Sequence, residues 1–245
     1  KINQIVSPSK DKLSPASFVC LGLPKQVTDE DMNTSLFILE SIFQQAKKSN
    51  KNHAMGIAAF PYSTQPDLDK YSSGKSNLPE LQETLRQAGV TDDSIKMYGP
   101  VLEYSQKERI DLVAAGIETP DAATVVRKGL QSVDPANRER YVADTTGFIE
   151  TTSDPKFKLY TDRSLIKEVD SNNVGNAYAE LILVHEAAAT AVAQYAVRKR
   201  NAVVALLAPV QDVRYLSGIN GRIPRVFGFL NPEALSNEGT VTEND

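Results

Sequence analysis

Three arginines, a tyrosine and two glycines fall within one stretch, "VQDVRYLSGINGRIPRV" (210–226), directly after the apolar run "AVVALLAP". An arginine guanidinium presents several N–H donors in one rigid plane and grips a carboxylate with two parallel hydrogen bonds. Arg214, Arg222 and Arg225 therefore offer an anion grip, and Tyr215 offers a phenolate able to ligate ferric iron. Gly218 and Gly221 would let the backbone turn sharply, and loops at the ends of buried strands are where α/β proteins place their chemistry. The competing reading is that the arginines are merely solvated, and the residues alone leave both open.

Other chemistry is sparse. Metal binding needs several imidazole, thiolate or carboxylate ligands converging on one point, yet the chain has two histidines and neither stands in a recognised metal motif. His185, in "LILVHEAAA" beside Glu186, reads as a buried imidazole with one hydrogen-bond partner, and ligation is the alternative. His53, in the polar turn "KKSNKNHA", reads as solvated. No Gly-x-Ser-x-Gly elbow occurs, and Ser217 has no histidine near it in sequence. Neither a Gly-x-Gly-x-x-Gly turn nor a P-loop follows a strand; Lys25 in "LGLPK" is a single cation at a strand end. Asp67 and Asp69 open a helix and the basic run "VRKRN" (197–201) closes one, so offsetting the helix dipole is their simpler account. Cys20, the single cysteine, lies in apolar "SFVCLG"; it reads as buried packing and excludes an internal disulfide.

The elements that must position these residues alternate. Short apolar runs at 17–22, 54–60, 110–116 and 202–209 read as buried strands, and "RVFGFL" (225–230) as a further edge strand. Between them lie helical patterns. The first, from Thr28 or Asp29 to about Lys48, buries Leu36, Leu39, Phe43 and Ala46 on one face. Short helices are predicted in "PDLDKY", "NLPELQETLRQAG" (stopped by Gly89), "PVLEYSQKER", "TPDAATVVRKGLQS" and "PANRERYVAD", and a long Ala-rich one from about Val174 to Arg200. Strands separated by helices predict an α/β fold, with a mostly parallel sheet of four to five strands and helices on both faces. One domain over 1–230 is expected, with a polar, partly ordered insertion at about 145–173 and a mobile acidic tail at 231–245.

Composition narrows the function classes. The 245 residues are 41% hydrophobic and 24% charged, as in an ordinary soluble protein. A net charge of −4 argues against a nucleic-acid surface, and no apolar run approaches the ~20 residues of a membrane span. The first residue is Lys rather than Met, which implies a removed leader or a late start.

Four blocks appear in a recognisable order: "FVCLGLPKQVTDEDMNTSLFILESI", "MGIAAFPYSTQPDLDKY", "AELILVHEAAATAVAQYAV" and "VVALLAPVQDVRYLSGINGRIPRV". They resemble the haem-binding uptake (ChaN-like) proteins of the Tiki superfamily, over about Phe18 to Val226. The middle block, "YGPVLEYSQKERIDLVAAGIETPDAATVVRKGLQSVDPANRERY", looks most like plastid members of plants and algae, where a similar domain precedes a Reticulata-related membrane domain that this chain lacks. Framework positions match: Gly22, Phe60, Gln65, Leu68, Asp69, Tyr71, Val213, Tyr215, Ile223 and Pro224. The polar positions depart. Leu23 stands for a Glu, Lys25 for a His, Ala58 for a Glu and Asp212 for a His.

Losing two His and two Glu removes both metal ligands and a general base. The resemblance with these departures implies a non-catalytic, accessory or structural subunit, docked to other protein subunits of a membrane-bound photosynthetic complex at the chloroplast thylakoid. The alternative it implies is a haem or tetrapyrrole binder using Tyr62 or Tyr215, with Arg222 for a propionate. A metal-dependent hydrolase is the third reading, for which the required residues are absent. His185 and Arg214 complete the ligand-binding candidates.

Overall fold

The computed structural model describes residues 16–155, 158, 159, 161, 174–215 and 218–232. Four strands, β1 (Ala16–Leu23), β2 (Asn52–Pro61), β3 (Asp111–Gly116) and β4 (Ala202–Pro209), form one sheet in the order β1-β4-β2-β3. Every pairing is parallel, so Leu23, Pro61, Gly116 and Pro209 all end at one edge of the sheet, its carboxyl edge.

Both faces are covered, and β4 shows why its sequence is apolar throughout. Val203, Ala205 and Leu207 face one core, and Val204, Leu206 and Ala208 face the other. The first core is closed by α1 (Asp29–Lys48), α2 (Gln65–Ser72), α3 (Leu78–Gln87) and α4 (Asp92–Glu108). Helix α1 begins at Thr28, whose hydroxyl accepts from the Asp31 N–H while the Asp31 carboxylate accepts from the Thr28 N–H, a reciprocal capping box. Its Leu39, Phe43 and Ala46 are fully buried, as the spacing predicts, with Leu36 only half-buried. The "PVLEYSQKER" helix is the second half of α4, which runs through Pro100.

Beyond β3 come α5 (Thr119–Lys128), α6 (Pro135–Tyr141) and α7 (Thr145–Thr152). The expected polar insertion therefore opens with a regular helix, capped by Asp144 and anchored by buried Phe148; residues 156, 157, 160 and 162–173 lie outside the described residues, as does the tail from 233. Helix α8 (Val174–Arg198) and, after β4, the single turn α9 (Val210–Val213) and α10 (Ile219–Leu230) cover the second face.

Three expectations are corrected here. "RVFGFL" is the C-terminal half of α10, not a fifth strand, and most of the stretch 210–226, expected as a loop, is helical, in α9 and α10. A six-residue apolar run fits either a strand or a buried helical face; Val226 and Phe227 take the helical option against the second core. His53 is also not in a solvated turn: it lies in β2, half-buried, its ring 5.9 Å from that of Phe43.

The outer edge of β3 is closed by a side chain. Gln65 Nε2 donates to the Leu112 carbonyl at 2.8 Å, and the Ala114 N–H donates to Gln65 Oε1 at 2.8 Å. One amide thus satisfies two backbone groups that a further strand would otherwise take.

Candidate functional site at the carboxyl edge of the sheet

Helix α8 is rich in alanine and buried on most sides, which lets it lie close on the sheet. Gly56 supplies the room, since a Cβ there would meet Val192 Cγ1 at 2.9 Å. Two neighbouring residues of this apolar helix are polar, His185 and Glu186, exposed by 2% and 0%. Successive helical residues point about 100° apart, so each serves a different cluster.

Glu186 receives both arginines of α10. Arg222 Nη1 donates to Glu186 Oε2 at 2.8 Å, and Arg225 Nη2 donates to both carboxylate oxygens at 2.6 Å. Arg225 also donates through Nη1 to the Asp144 carboxylate, which itself accepts from the Gly147 N–H and caps α7. Arg222, expected in an exposed loop, is completely buried, with its guanidinium 5.9 Å from the Phe148 ring. Burial pulls its pKa below the usual arginine value, and the hydrogen bond and charge of Glu186 oppose that pull. A charge so deep persists only with partners, and here two carboxylates answer two guanidiniums.

His185 meets the turn after β4. Its Nε2 stands 3.0 Å from Asp212 Oδ1, both side chains being buried. Asp212 lies in α9, which crosses over the end of β1; a Cβ on Gly22 would meet Val213 Cγ2 at 2.8 Å and the Val210 Cα at 2.9 Å. Glu180, one turn earlier on α8, has its carboxyl pKa raised, first by burial and then by the charge of Asp212.

The remaining candidates separate. Leu23 is buried in the first core, whereas Ala58 is half-buried against the second. Lys25 is exposed and lines a cleft of about 440 Å³ with Leu23, Tyr98 and Pro209. Tyr62 donates its hydroxyl to the Ala187 carbonyl at 3.4 Å, and its ring tilts on that of Tyr141 at 5.8 Å. Burial pushes the Tyr62 hydroxyl pKa well above the usual value. Arg214 is exposed and Tyr215 half-buried, the guanidinium lying 5.5 Å from the Tyr215 ring centre. The structure therefore brings His185 to Asp212, and Arg222 to the same helix, while Arg214 and Tyr215 stay at the rim. Cys20, expected as a buried packing residue, is half-buried against the second core, and burial pushes its pKa up to about 12.

Sequence reasoning noted Glu186 only as a neighbour of His185 and missed Asp144 and Glu180. One signal was available: a glutamate inside an alanine-rich, apolar helix must be paired. Chemically, the arrangement consumes its own polarity. Glu186 and Asp144 face arginines and Asp212 faces an imidazole, and among the described residues no three His, Cys, Asp or Glu side chains are placed to hold a metal ion.

Comparison with known proteins agrees with the fold. The profile of the family described as "Haem-binding uptake, Tiki superfamily, ChaN" matches residues 11–223. A solved structure, "Cofacial heme binding to ChaN of Campylobacter jejuni", superposes with a TM-score of 0.57 at 15% identity, covering 84% of this chain and 75% of that one. Protein RETICULATA-RELATED 5, chloroplastic, of Arabidopsis thaliana is 26% identical over 141 residues. That match takes in 57% of this chain and 19% of the plant protein, so the chain corresponds to a small part of that relative. With the family profile spanning most of the sequence and the fold shared, the chain belongs to the ChaN-type haem-binding uptake family of the Tiki superfamily.

Proposed function

We propose that the protein is a non-catalytic member of this family, acting as an accessory or structural subunit of a chloroplast membrane complex. The observation that carries the reading is the self-neutralised carboxyl edge. Glu186 is held between Arg222 and Arg225, Asp212 is held against His185, and two further family positions are the apolar Leu23 and Ala58. A general base or a metal ligand needs a lone pair open to substrate, and these acids are buried in pairs instead. The chloroplast assignment draws on the likeness to the plant protein, and no described helix is long and apolar enough to cross a membrane. The test is affinity purification of the native protein from gently solubilised membranes. Stoichiometric co-purification with membrane subunits is expected; a protein that always elutes alone as a monomer overturns the reading.

Haem binding is the second reading, favoured by the family itself. The two tyrosines fit unequally. Tyr62 does not fit an iron ligand, because its hydroxyl is engaged by the Ala187 carbonyl and burial disfavours the phenolate. Arg222 does not fit a propionate, because Glu186 already occupies it in the interior. Tyr215 and Arg214 do fit: one is half-buried and one exposed, side by side on the turn after β4. Bound there, haem would bring redox-active iron to the rim, with Tyr215 facing the metal and Arg214 a carboxylate. Titration with haemin tests this. A Soret shift abolished by Tyr215→Phe and kept by Tyr62→Phe is expected; no shift, or one indifferent to Tyr215→Phe, sinks it.

A further inference from the structure

At the outer edge of β3, toward its amino end, lies a cleft of about 700 Å³ between α2 on one face of the sheet and α8 on the other. Arg109 enters it from the end of α4, and Arg198 and Lys199 enter from the end of α8. All three are exposed, and none has an ion-pair partner among the described residues. Offsetting the dipoles of α8 and α4 accounts for a cation at each helix end, but not for the convergence of the two ends on one cleft.

The backbone of Arg109 adds a second observation. It caps α4 in the left-handed region, at φ 52° and ψ 48°. The other non-glycine residues with positive φ among those described are Asn50 and Asn201, and asparagine tolerates this region far better than arginine does. A glycine or asparagine would end the helix at lower cost, so the arginine side chain is held there against local preference. Strain of this kind collects at ligand-binding positions.

Two acids also line the cleft, each already taking one hydrogen bond. Asp111 Oδ2 accepts from the Tyr195 hydroxyl at 2.8 Å, and Asp69 Oδ1 accepts from Gln65 Nε2 at 2.7 Å. Their remaining lone pairs suit hydroxyl donors, while the cations suit the oxygens of a phosphate. We propose that this cleft binds a phosphorylated polyol, with Arg109, Arg198 and Lys199 holding the phosphate and Asp69 and Asp111 accepting from hydroxyls. The volume suits a small ligand rather than a single ion. The same chemistry is offered by a free sugar phosphate and by the headgroup of a phosphoinositide.

Calorimetric titration of the intact protein with glucose 6-phosphate, and co-sedimentation with phosphatidylcholine vesicles containing phosphatidylinositol 4-phosphate, separate the two sources. Binding is expected in one arm, with unphosphorylated glucose or pure phosphatidylcholine as the silent control. Arg109→Asn and Arg198→Ser should each weaken it about tenfold, the loss of one charge-assisted hydrogen bond. Arg86→Ser, which removes a cation elsewhere on the surface, should leave it unchanged. Arg109→Asn keeps a residue that accepts the left-handed backbone, so its loss of binding is not a loss of fold; thermal melts verify this. Silence in both arms, or binding indifferent to Arg109→Asn and Arg198→Ser, overturns the proposal.

Discussion

Two ends of the sheet treat charge in opposite ways. At the carboxyl edge, Glu186, Arg222 and Asp212 are buried and matched by partners from distant segments. Beside the amino end of β3, Arg109, Arg198 and Lys199 stand in solvent and face an open cleft. Charge at the first end is a structural joint, while at the other end three cations reach a cleft without an ion-pair partner among the described residues. A charge bonded deep inside a protein serves stability or specificity, and a charge held at a surface without a partner is available to a ligand.

The largest test of this contrast is Glu186→Ala. Removing the acid leaves Arg222 buried and unmatched, which costs about 3–5 kcal/mol; a fall in the denaturant midpoint checks it. A loss below about 1 kcal/mol would mean that water reaches Arg222 and the edge is open after all. Next is Asp212→Ala, which strips the carboxylate from buried His185 and should cost about 1–3 kcal/mol in the same assay. Gln65→Ala removes both bonds to the β3 backbone and should cost about 1–2 kcal/mol, with faster amide exchange at Ala114. By contrast, Arg198→Ser with Lys199→Ser should cost less than about 1 kcal/mol, the dipole contribution alone. A larger loss would make these cations part of the fold and erase the difference between the ends.

The smallest effect is one of sign. The Glu180 pKa is raised in the folded protein from its usual 4.5, by burial and then by Asp212. The folded state therefore holds this proton more tightly than the unfolded chain. The resulting stability is complete below the unfolded pKa and is lost as pH rises through the folded one. Glu180→Gln, which cannot ionise, should gain on the native protein across that window in paired thermal melts. An unchanged difference from pH 4 upward would mean that neither burial nor Asp212 shifts Glu180.

The sheet was legible because a strand buried on both faces must be apolar at every position, as "AVVALLAP" is. Helix α1 was legible from its caps and spacing. Helix α10 was not, because Gly218, Gly221 and Pro224 all speak for a loop when read locally. What overrides them is distant: Arg222 and Arg225 find Glu186 at separations of 36 and 39 residues, and Asp144 at 81. No local pattern encodes those partners. The resemblance identified Asp212 as a replaced histidine, but its partner is an imidazole from α8 rather than from any strand end.

That imidazole and its neighbour have a consequence for how α8 is seated. A helix whose core face is nearly all alanine presents a smooth surface, and smooth surfaces slide and rotate at little cost. His185 and Glu186 break that degeneracy, since each must meet a different partner in a different direction. Sliding the helix by one residue in one direction would set the imidazole before the arginines and Val184 before Asp212; in the other it would set the acid before Asp212 and Ala187 before the arginines. The two side chains thus act as a key, admitting a single rotation and a single depth for 25 residues that would otherwise have several.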